Sequence, residues 1–251
     1  MGIETARRLN GRQVLRGVEI RSGIRWEMAR WLSYAHQTHD SPNPLARFAH
    51  RSRYKLSVDL AERLLPNGGT LVDFGAGEGT FLDKVGQRRP DARLLAIEPH
   101  QTIDLPDVVR IARIEDIPER SADLVAAIEV LEHLTDEQLR DFLTAAKAIL
   151  KPGGKLLVSV PIMYGLALPV KELSRTLLHR RWSDTRAGEL LKATAGIPIG
   201  RTANRAGSHK GFDFRSLRWE IAAAFRIAEE RYSPFPSVPW WVNSQAIFVA
   251  E

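Results

Sequence analysis

Residues 128–134 read IEVLEHL, an apolar run that holds two carboxylates and an imidazole. Glu129, Glu132 and His133 stand at i, i+3 and i+4, so a helical turn would project all three from one face. Such a face could hold a divalent cation, move a proton, contact a cofactor or cap a helix, and these residues alone leave all four open. A second stretch, LVDFGAGEGTF at 71–81, reads as a strand, a tight glycine turn and a helix start. Glycines there permit positive φ and let a ligand approach the backbone, while the helix N-terminus offers free N–H groups. Gly75, Gly77 and Gly79 are spaced G-x-G-x-G, which departs from the dinucleotide pattern G-x-G-x-x-G. Asp73, two residues before the first glycine, is unhelpful beside a pyrophosphate and suits a ligand with an amino group. Glu98 closes the next apolar run, where an acid hydrogen-bonds ribose hydroxyls in doubly wound folds.

These side chains need elements to position them. TLVDFG (70–75), RLLAIEP (93–99), ADLVAAIEV (122–130) and KLLVSVP (155–161) read as strands, and VVRIARIEDIP (108–118) contains another. GTFLDKVGQRR (79–89) and TDEQLRDFLTAAKAILK (135–151) read as helices between them. The second opens on Thr135 and Gln138, a capping box, and KPGG ends it. This alternation predicts a parallel sheet covered on both faces. FRSLRWEIAAAF (214–225) adds a helix, and RIAEERYSP (226–234) and QAIFVAE (245–251) two last strands. Ahead of the sheet, 4–35 and 48–65 read as helices, separated by the two prolines of HDSPNPLARF (39–48). The region 162–211 interrupts the order with KELSRTLLHRRW (171–182), read as a basic amphipathic helix, and then a Gly/Ala/Arg-rich loop.

Taken in order, DFGAGEG, the strand-end acid of LLAIEP, ADLVAAIEVLEHL and LKPGGKLLVSVP resemble the class I S-adenosylmethionine-dependent methyltransferases. The resemblance is strong over 68–161 and weak over 212–251. It implies an α/β, doubly wound, Rossmann-like sheet of seven strands with the last antiparallel, and S-adenosylmethionine as cofactor. By position, Asp73 would meet the methionine amino group, and Gly75, Ala76 and Gly77 would lie under the ligand by their backbone. Glu98 would bind the ribose hydroxyls and Pro99 would flank adenine. Relatives often carry an acid for the adenine amino group where this chain has Arg113; Glu115 and Asp116 follow and could substitute. Glu129 is placed among the cofactor contacts. The implied organisation is a basic helical arm or lid at 1–66, a cofactor-binding core at 67–161, a cap insertion for the acceptor at 162–211, and the end of the core sheet at 212–251.

In this family IEVLEHL would sit beneath the transferred methyl group, which makes His133 and Glu132 the expected catalytic residues. A histidine there is a plausible acceptor for the proton of an attacking hydroxyl. Glu-x-x-Glu-His also resembles the metal-binding segment of two branches, one methylating the 3′-terminal 2′-hydroxyl of small RNAs and the other methylating polyprenyl catechols in quinone synthesis. That resemblance makes Glu129, Glu132 and His133, with His209 of SHKGFDF (208–214), a possible divalent-metal set. The metal-free base is preferred, because His209 rests only on a loose local pattern.

Composition narrows the acceptor. The chain has 251 residues, a net charge of +6 and no cysteine, which excludes disulfides and thiolate chemistry. No apolar run approaches the roughly 18 residues of a membrane span, and the first residues lack the apolar core of a signal peptide. The cytoplasm is therefore expected, with attachment to a membrane surface open. Residues 1–55 hold eleven Arg/Lys and four acids, a net +7. The insertion adds Lys171, Arg175, Arg180, Arg181, Arg186, Lys192, Arg201 and Arg205, with Leu177, Leu178 and Trp182. Phe235, Trp240 and Trp241 lie between the last two strands. The basic charge suits an anionic or membrane-associated acceptor, and aromatic surfaces near a basic rim suit a sugar, a prenyl chain or a stacked base. The expected activity is O-methylation of a sugar, lipid-linked or natural-product hydroxyl. N- or C-methylation of a small metabolite and RNA 2′-O-methylation are the alternatives, although no recognised RNA-binding module is present. A cofactor-binding regulator that transfers nothing is the non-enzymatic one.

Overall fold

The architecture comes from a computed structural model, which describes residues 44–179, 185–203, 205 and 208–251, with side chains from residue 47 onward and none at 174–179. The helix expected at 4–35 lies outside them. Helix α1 (Pro44–Leu64) starts earlier than its periodicity predicts, because proline is well accommodated in a first helical turn, where its missing N–H has no partner to lose.

Seven strands follow: β1 (Thr70–Phe74), β2 (Arg93–Ile97), β3 (Val108–Ile111), β4 (Ala122–Ile128), β5 (Leu150–Pro161), β6 (Ile227–Ser233) and β7 (Gln245–Ala250). They form one sheet in the order β3-β2-β1-β4-β5-β7-β6. The first five pair parallel, and β7 runs antiparallel to both β5 and β6, so the expected seven-stranded sheet with its antiparallel last strand is present.

Alternate residues along each strand feed opposite faces. Leu71, Leu94, Leu124 and Leu157 pack under α1 and under α2 (Thr80–Arg88) through Val58, Ala61, Phe81 and Leu82. Val72, Leu95, Val125 and Val158 pack on the other side against Phe142, Leu143, Leu217 and Ile221. The last four belong to α3 (Asp136–Ile149) and α6 (Phe214–Ala224). Thr135 caps α3 by the expected reciprocal box with Gln138.

Two expectations are corrected. The segment KPGG does not separate helix from strand: β5 already begins at Leu150 and pairs there with Ala122, with a register shift before Leu124. The region expected as a loop after 182 contains α5 (Ala187–Thr194), which packs Ala193 against Leu168 of α4 (Ala167–His179) and Tyr164. The loop reading took glycine and alanine as breakers, whereas Ala193 is the small buried residue that lets α5 approach α4.

Candidate active site

At the carboxyl end of β1 the chain turns through Gly75, Gly77 and Gly79, all at positive φ. A Cβ on Gly75 would lie 2.5 Å from Val130 Cγ2, so no larger residue fits between the glycine loop and the turn after β4. At Gly77 the nearest atom to such a Cβ is 3.9 Å away, which leaves that backbone bare toward the crevice. Ala76 packs from this loop onto the α1 side of the core. Asp73 is buried, and its Oδ1 has no hydrogen-bond partner. Burial, and then the nearby Glu98 carboxylate, push its carboxyl up to about 8. A desolvated carboxylate of this kind is stabilised by a cation, and an amino group brought to it would supply both charge and hydrogen bond. Glu98 accepts backbone hydrogen bonds from Gly77 (2.9 Å), His100 (2.7 Å) and Gln101 (3.2 Å), and so ties the loop to the end of β2. Pro99 is exposed beside it. Glu115 and Asp116 lie exposed in a short 3-10 turn after β3, with Asp116 bound to Arg113 at 3.1 Å.

The turn after β4 does not present one helical face, and that expectation is corrected. Glu129 takes a left-handed conformation at φ 59, and only Leu131–His133 form a turn of 3-10 helix. The left-handed residue directs the Glu129 side chain away from those of Glu132 and His133. Its carboxylate accepts from Arg53 Nη1 at 2.9 Å, Ser159 Oγ at 3.2 Å and Gln245 Nε2 at 3.3 Å. Glu129 is therefore held in a buried ion pair with α1 and is not in the group with Glu132, His133 and His209.

Glu132 is fully buried, and neither carboxylate oxygen has a hydrogen-bond partner. Burial, and then the charge of Glu129, push its pKa well above the usual carboxylate range. His133 Nδ1 lies 2.9 Å from the carbonyl oxygen of Arg205. A carbonyl only accepts, so Nδ1 carries the proton and Nε2 keeps its lone pair. That Nε2 is 3.4 Å from His209 Nε2 and 3.8 Å from Glu132 Oε1, and His209 Nε2 is 4.0 Å from the same oxygen. Burial lowers the pKa of both histidines; for His209 burial and then His133 bring it to about 3. Two neutral imidazoles thus face one desolvated carboxyl, their ligand atoms all within 4.8 Å of one another. One carboxylate and two imidazole nitrogens are a donor set that fits a divalent cation such as zinc.

The insertion brings His209 to this point. Arg201 Nη2 donates to the Glu132 carbonyl at 2.5 Å, and Arg205 Nη1 donates to the Leu134 carbonyl at 2.8 Å and to Asp136 at 2.9 Å. Lys171 of α4 donates to the carbonyls of Ile162 and Ser244, both at 3.1 Å, and burial lowers its pKa to about 8. Lys171, Arg201 and Arg205 were expected only as cations of a basic rim, and their bonds to backbone carbonyls, the acceptor role of the Arg205 carbonyl and the burial of Arg53 were not foreseen from sequence. For Arg53 a signal existed: it stands four residues before Ser57 on the buried stripe of α1 that continues through Val58 and Ala61.

The strand order, the glycine loop and the buried acid beneath it define a nucleoside-binding α/β enzyme. A family model described as a methyltransferase domain matches residues 48–216, and the chain belongs to that family, the class I methyltransferases that use S-adenosylmethionine. Among curated proteins it is similar to the mitochondrial ubiquinone biosynthesis O-methyltransferase of Schizosaccharomyces pombe, 31% identical over an aligned length of 152, gaps included, with 55% of this chain and 49% of the relative covered. It is also similar to the ubiquinone biosynthesis O-methyltransferase of Bradyrhizobium sp., 33% identical over an aligned length of 107, gaps included, with 37% of this chain and 40% of the relative covered. The chain thus spans about half the length of the curated relatives it matches, or less. In fold it is similar to the PH0226 protein of Pyrococcus horikoshii, with a TM-score of 0.55 at 13% identity over 88% of this chain and 99% of that one. It is likewise similar to the 1,6-didemethyltoxoflavin-N1-methyltransferase of Burkholderia thailandensis, solved with S-adenosylhomocysteine, with a TM-score of 0.51 at 17% identity over 86% and 84%.

Proposed function

We propose that the protein is an O-methyltransferase whose acceptor hydroxyl is activated at Glu132, His133 and His209. The observation that carries the reading is the convergence of one desolvated carboxyl and two neutral imidazoles, from segments 76 residues apart, at the carboxyl end of β4. An amine already has a lone pair at neutral pH, whereas a hydroxyl must lose a proton as it attacks, and this cluster can take that proton or weaken the O–H bond. The names of the two curated relatives, both O-methyltransferases of ubiquinone biosynthesis, support a hydroxyl on a lipid-linked or natural-product acceptor ahead of a sugar. When bound, S-adenosylmethionine supplies an electrophilic methyl group on a sulfonium. Asp73 would take its amino group, the Gly75–Gly77 backbone would line its path, and Glu98 would meet the ribose hydroxyls.

Glu132, His133 and His209 are the proposed ligands of a divalent cation, which would polarise the acceptor oxygen. The buried, unpartnered Glu132 favours this reading, because a cation removes the cost of its desolvation. The second reading, His133 as a metal-free base, is favoured by the Arg205 carbonyl that fixes Nδ1–H and leaves Nε2 basic. The test uses labelled S-adenosylmethionine with cell extract, products read by mass spectrometry, and metal content measured on the purified protein. Methyl ether formation that chelator abolishes, with one divalent ion lost and the melting temperature lowered, supports the metal reading. Ether formation unaffected by chelator moves the role to His133. Products methylated only on nitrogen or carbon overturn the O-methyl reading, and no product at all makes the chain a cofactor-binding regulator.

A further inference from the structure

The described first turns of helix α4 turn apolar side chains to solvent and polar ones inward. Its polar residues Lys171 and Glu172 face inward: Lys171 donates to the carbonyls of Ile162 and Ser244, and Glu172 is only 7% exposed, next to the buried Leu168. Three apolar side chains face outward, at Leu166 (56% exposed) directly before the helix and at Val170 (52%) and Leu173 (61%) on it, spaced i, i+4 and i+7. A helix with an apolar face against water is unfavourable, and that arrangement marks a face made for another apolar phase.

The stripe does not stand alone. The Leu166 backbone N–H donates to the Trp241 carbonyl at 2.7 Å, and Trp241 is itself exposed. Phe235, in the same loop between β6 and β7, is exposed with its ring 6.0 Å from that of Phe48, also exposed, on α1. All of these segments leave the sheet at one edge. Residues from 162 onward follow the carboxyl end of β5, 234–244 follow that of β6, and α1 reaches Glu129 at the end of β4 through Arg53. This is the edge that holds Glu132, His133 and His209.

Charge indicates what covers the patch. Region 162–211 has nine Arg/Lys against three acids, and residues 1–55 have eleven against four. Arg51 is exposed one turn from Phe48, and Arg186, which caps α5, and Lys192 on it are exposed. No helix among the described residues is long and apolar enough to cross a membrane. We infer that Leu166, Val170, Leu173, Trp241, Phe235 and Phe48 form a docking face for the surface of an anionic phospholipid bilayer. The apolar side chains enter the headgroup region and the flanking cations meet lipid phosphates. The active-site edge is thereby turned toward the lipid. The inference deepens the lipid-linked acceptor of the proposed function, but it does not depend on which atom receives the methyl group.

The test is sedimentation of the full chain with vesicles of phosphatidylcholine alone and of phosphatidylcholine mixed with phosphatidylglycerol, with no acceptor present. The expected result is binding to the mixed vesicles only, weakened by salt. The double variant V170E/L173E should bind about tenfold or more weakly, since two apolar anchors are replaced by charges repelled from the anionic surface. Its S-adenosylhomocysteine affinity should be unchanged, which also shows that it folds. F48E/R51E, on the other side of the patch, should act in the same direction. Equal partitioning of parent and both variants overturns the inference. So does a parent that ignores vesicles and forms a dimer that V170E/L173E disperses, because the face is then covered by a second copy. Loss of methyl transfer to a hydroxyl would overturn the proposed function and leave the vesicle result standing.

Discussion

The two halves of the crevice are built in opposite ways. The half proposed for the cofactor is local: Asp73, Gly75, Ala76 and Gly77 are neighbours in sequence, and Glu98 reaches them with one backbone hydrogen bond to Gly77. The proposed acceptor half is assembled: Glu132 and His133 come from the end of β4 and His209 from the insertion, while Arg53 of α1 holds the neighbouring Glu129. A local site depends on backbone conformations that a short motif can enforce. An assembled site depends on buried polar contacts between distant segments, so its variants should divide sharply between those that stop chemistry and those that weaken the fold.

The largest effect is expected where assembly meets chemistry. Replacing His133 or Glu132 by Ala should lower the rate by about 10²–10⁴, the usual share of a positioned acid–base group, while S-adenosylhomocysteine affinity changes little. Calorimetry beside a methyl-transfer assay separates the two quantities. A variant that loses cofactor binding as strongly as rate would place these residues in the cofactor half and erase the distinction.

Next comes Arg53. Its side chain is 1% exposed and its guanidinium is bound to Glu129. Removing one partner of a buried pair leaves the other charge uncompensated and costs about 3–5 kcal/mol. Arg53→Ala should therefore lower the denaturant midpoint strongly. Arg53→Ala combined with Glu129→Gln should recover much of the loss, because neither partner of the pair then leaves its own charge behind, and Lys171 keeps its bonds to the Ile162 and Ser244 carbonyls. No recovery in the double variant would mean that Arg53 acts by packing and not through Glu129.

The cofactor half offers a test of Asp73 through pH. Its carboxyl is raised from an ordinary 3.8 to about 8 in the ligand-free protein. Between those values the folded chain binds more protons there than the unfolded chain, so this residue's contribution to stability falls as pH rises through the window. Asp73→Asn should then be more stable than the parent at pH 8, with the advantage shrinking toward pH 4. A cofactor amino group needs the ionised carboxyl, so binding of S-adenosylhomocysteine should release a proton near neutrality and tighten as pH rises to about 8. Calorimetry in buffers of different ionisation enthalpy reads that proton. An affinity flat across this range, with no proton released, would separate Asp73 from the amino group.

Legibility in the sequence follows the same division. The core strands were readable because they are short apolar runs between turn signals; β6, with Glu229, Glu230 and Arg231 in its middle, carries no such run. The glycine loop was readable because Gly75 admits no Cβ beside Val130. The meeting of His209 with His133 could only be suspected, because no spacing rule links positions 76 residues apart and the loop is held by Arg201 and Arg205 binding backbone carbonyls. Such bonds leave no pattern in side-chain type. The turn at Glu129 was misread as helical because i, i+3 and i+4 spacing says nothing about a single left-handed residue. The outward stripe of α4 was hidden because periodicity tells which residues share a face and not which face is buried.

The smallest effect is that of salt, and it bears on the same contrast. The cofactor half relies on a buried acid and on backbone groups, which added ions reach poorly. The acceptor side is rimmed by exposed cations, Arg186, which caps α5, Lys192 on it and Arg201 before His209. Exposed charges are screened beyond about 10 Å at 0.1 M salt, and each surface contact contributes on the order of 1 kcal/mol or less. For an acceptor that is anionic or held on an anionic surface, raising salt from low to physiological levels should increase the acceptor KM a few-fold. The Kd of S-adenosylhomocysteine should stay nearly constant. Arg186→Glu with Lys192→Glu should reproduce the KM change at low salt and flatten its salt dependence. If the cofactor Kd instead moves in parallel with KM, the cations serve the whole crevice, and the acceptor half loses its separate electrostatic character.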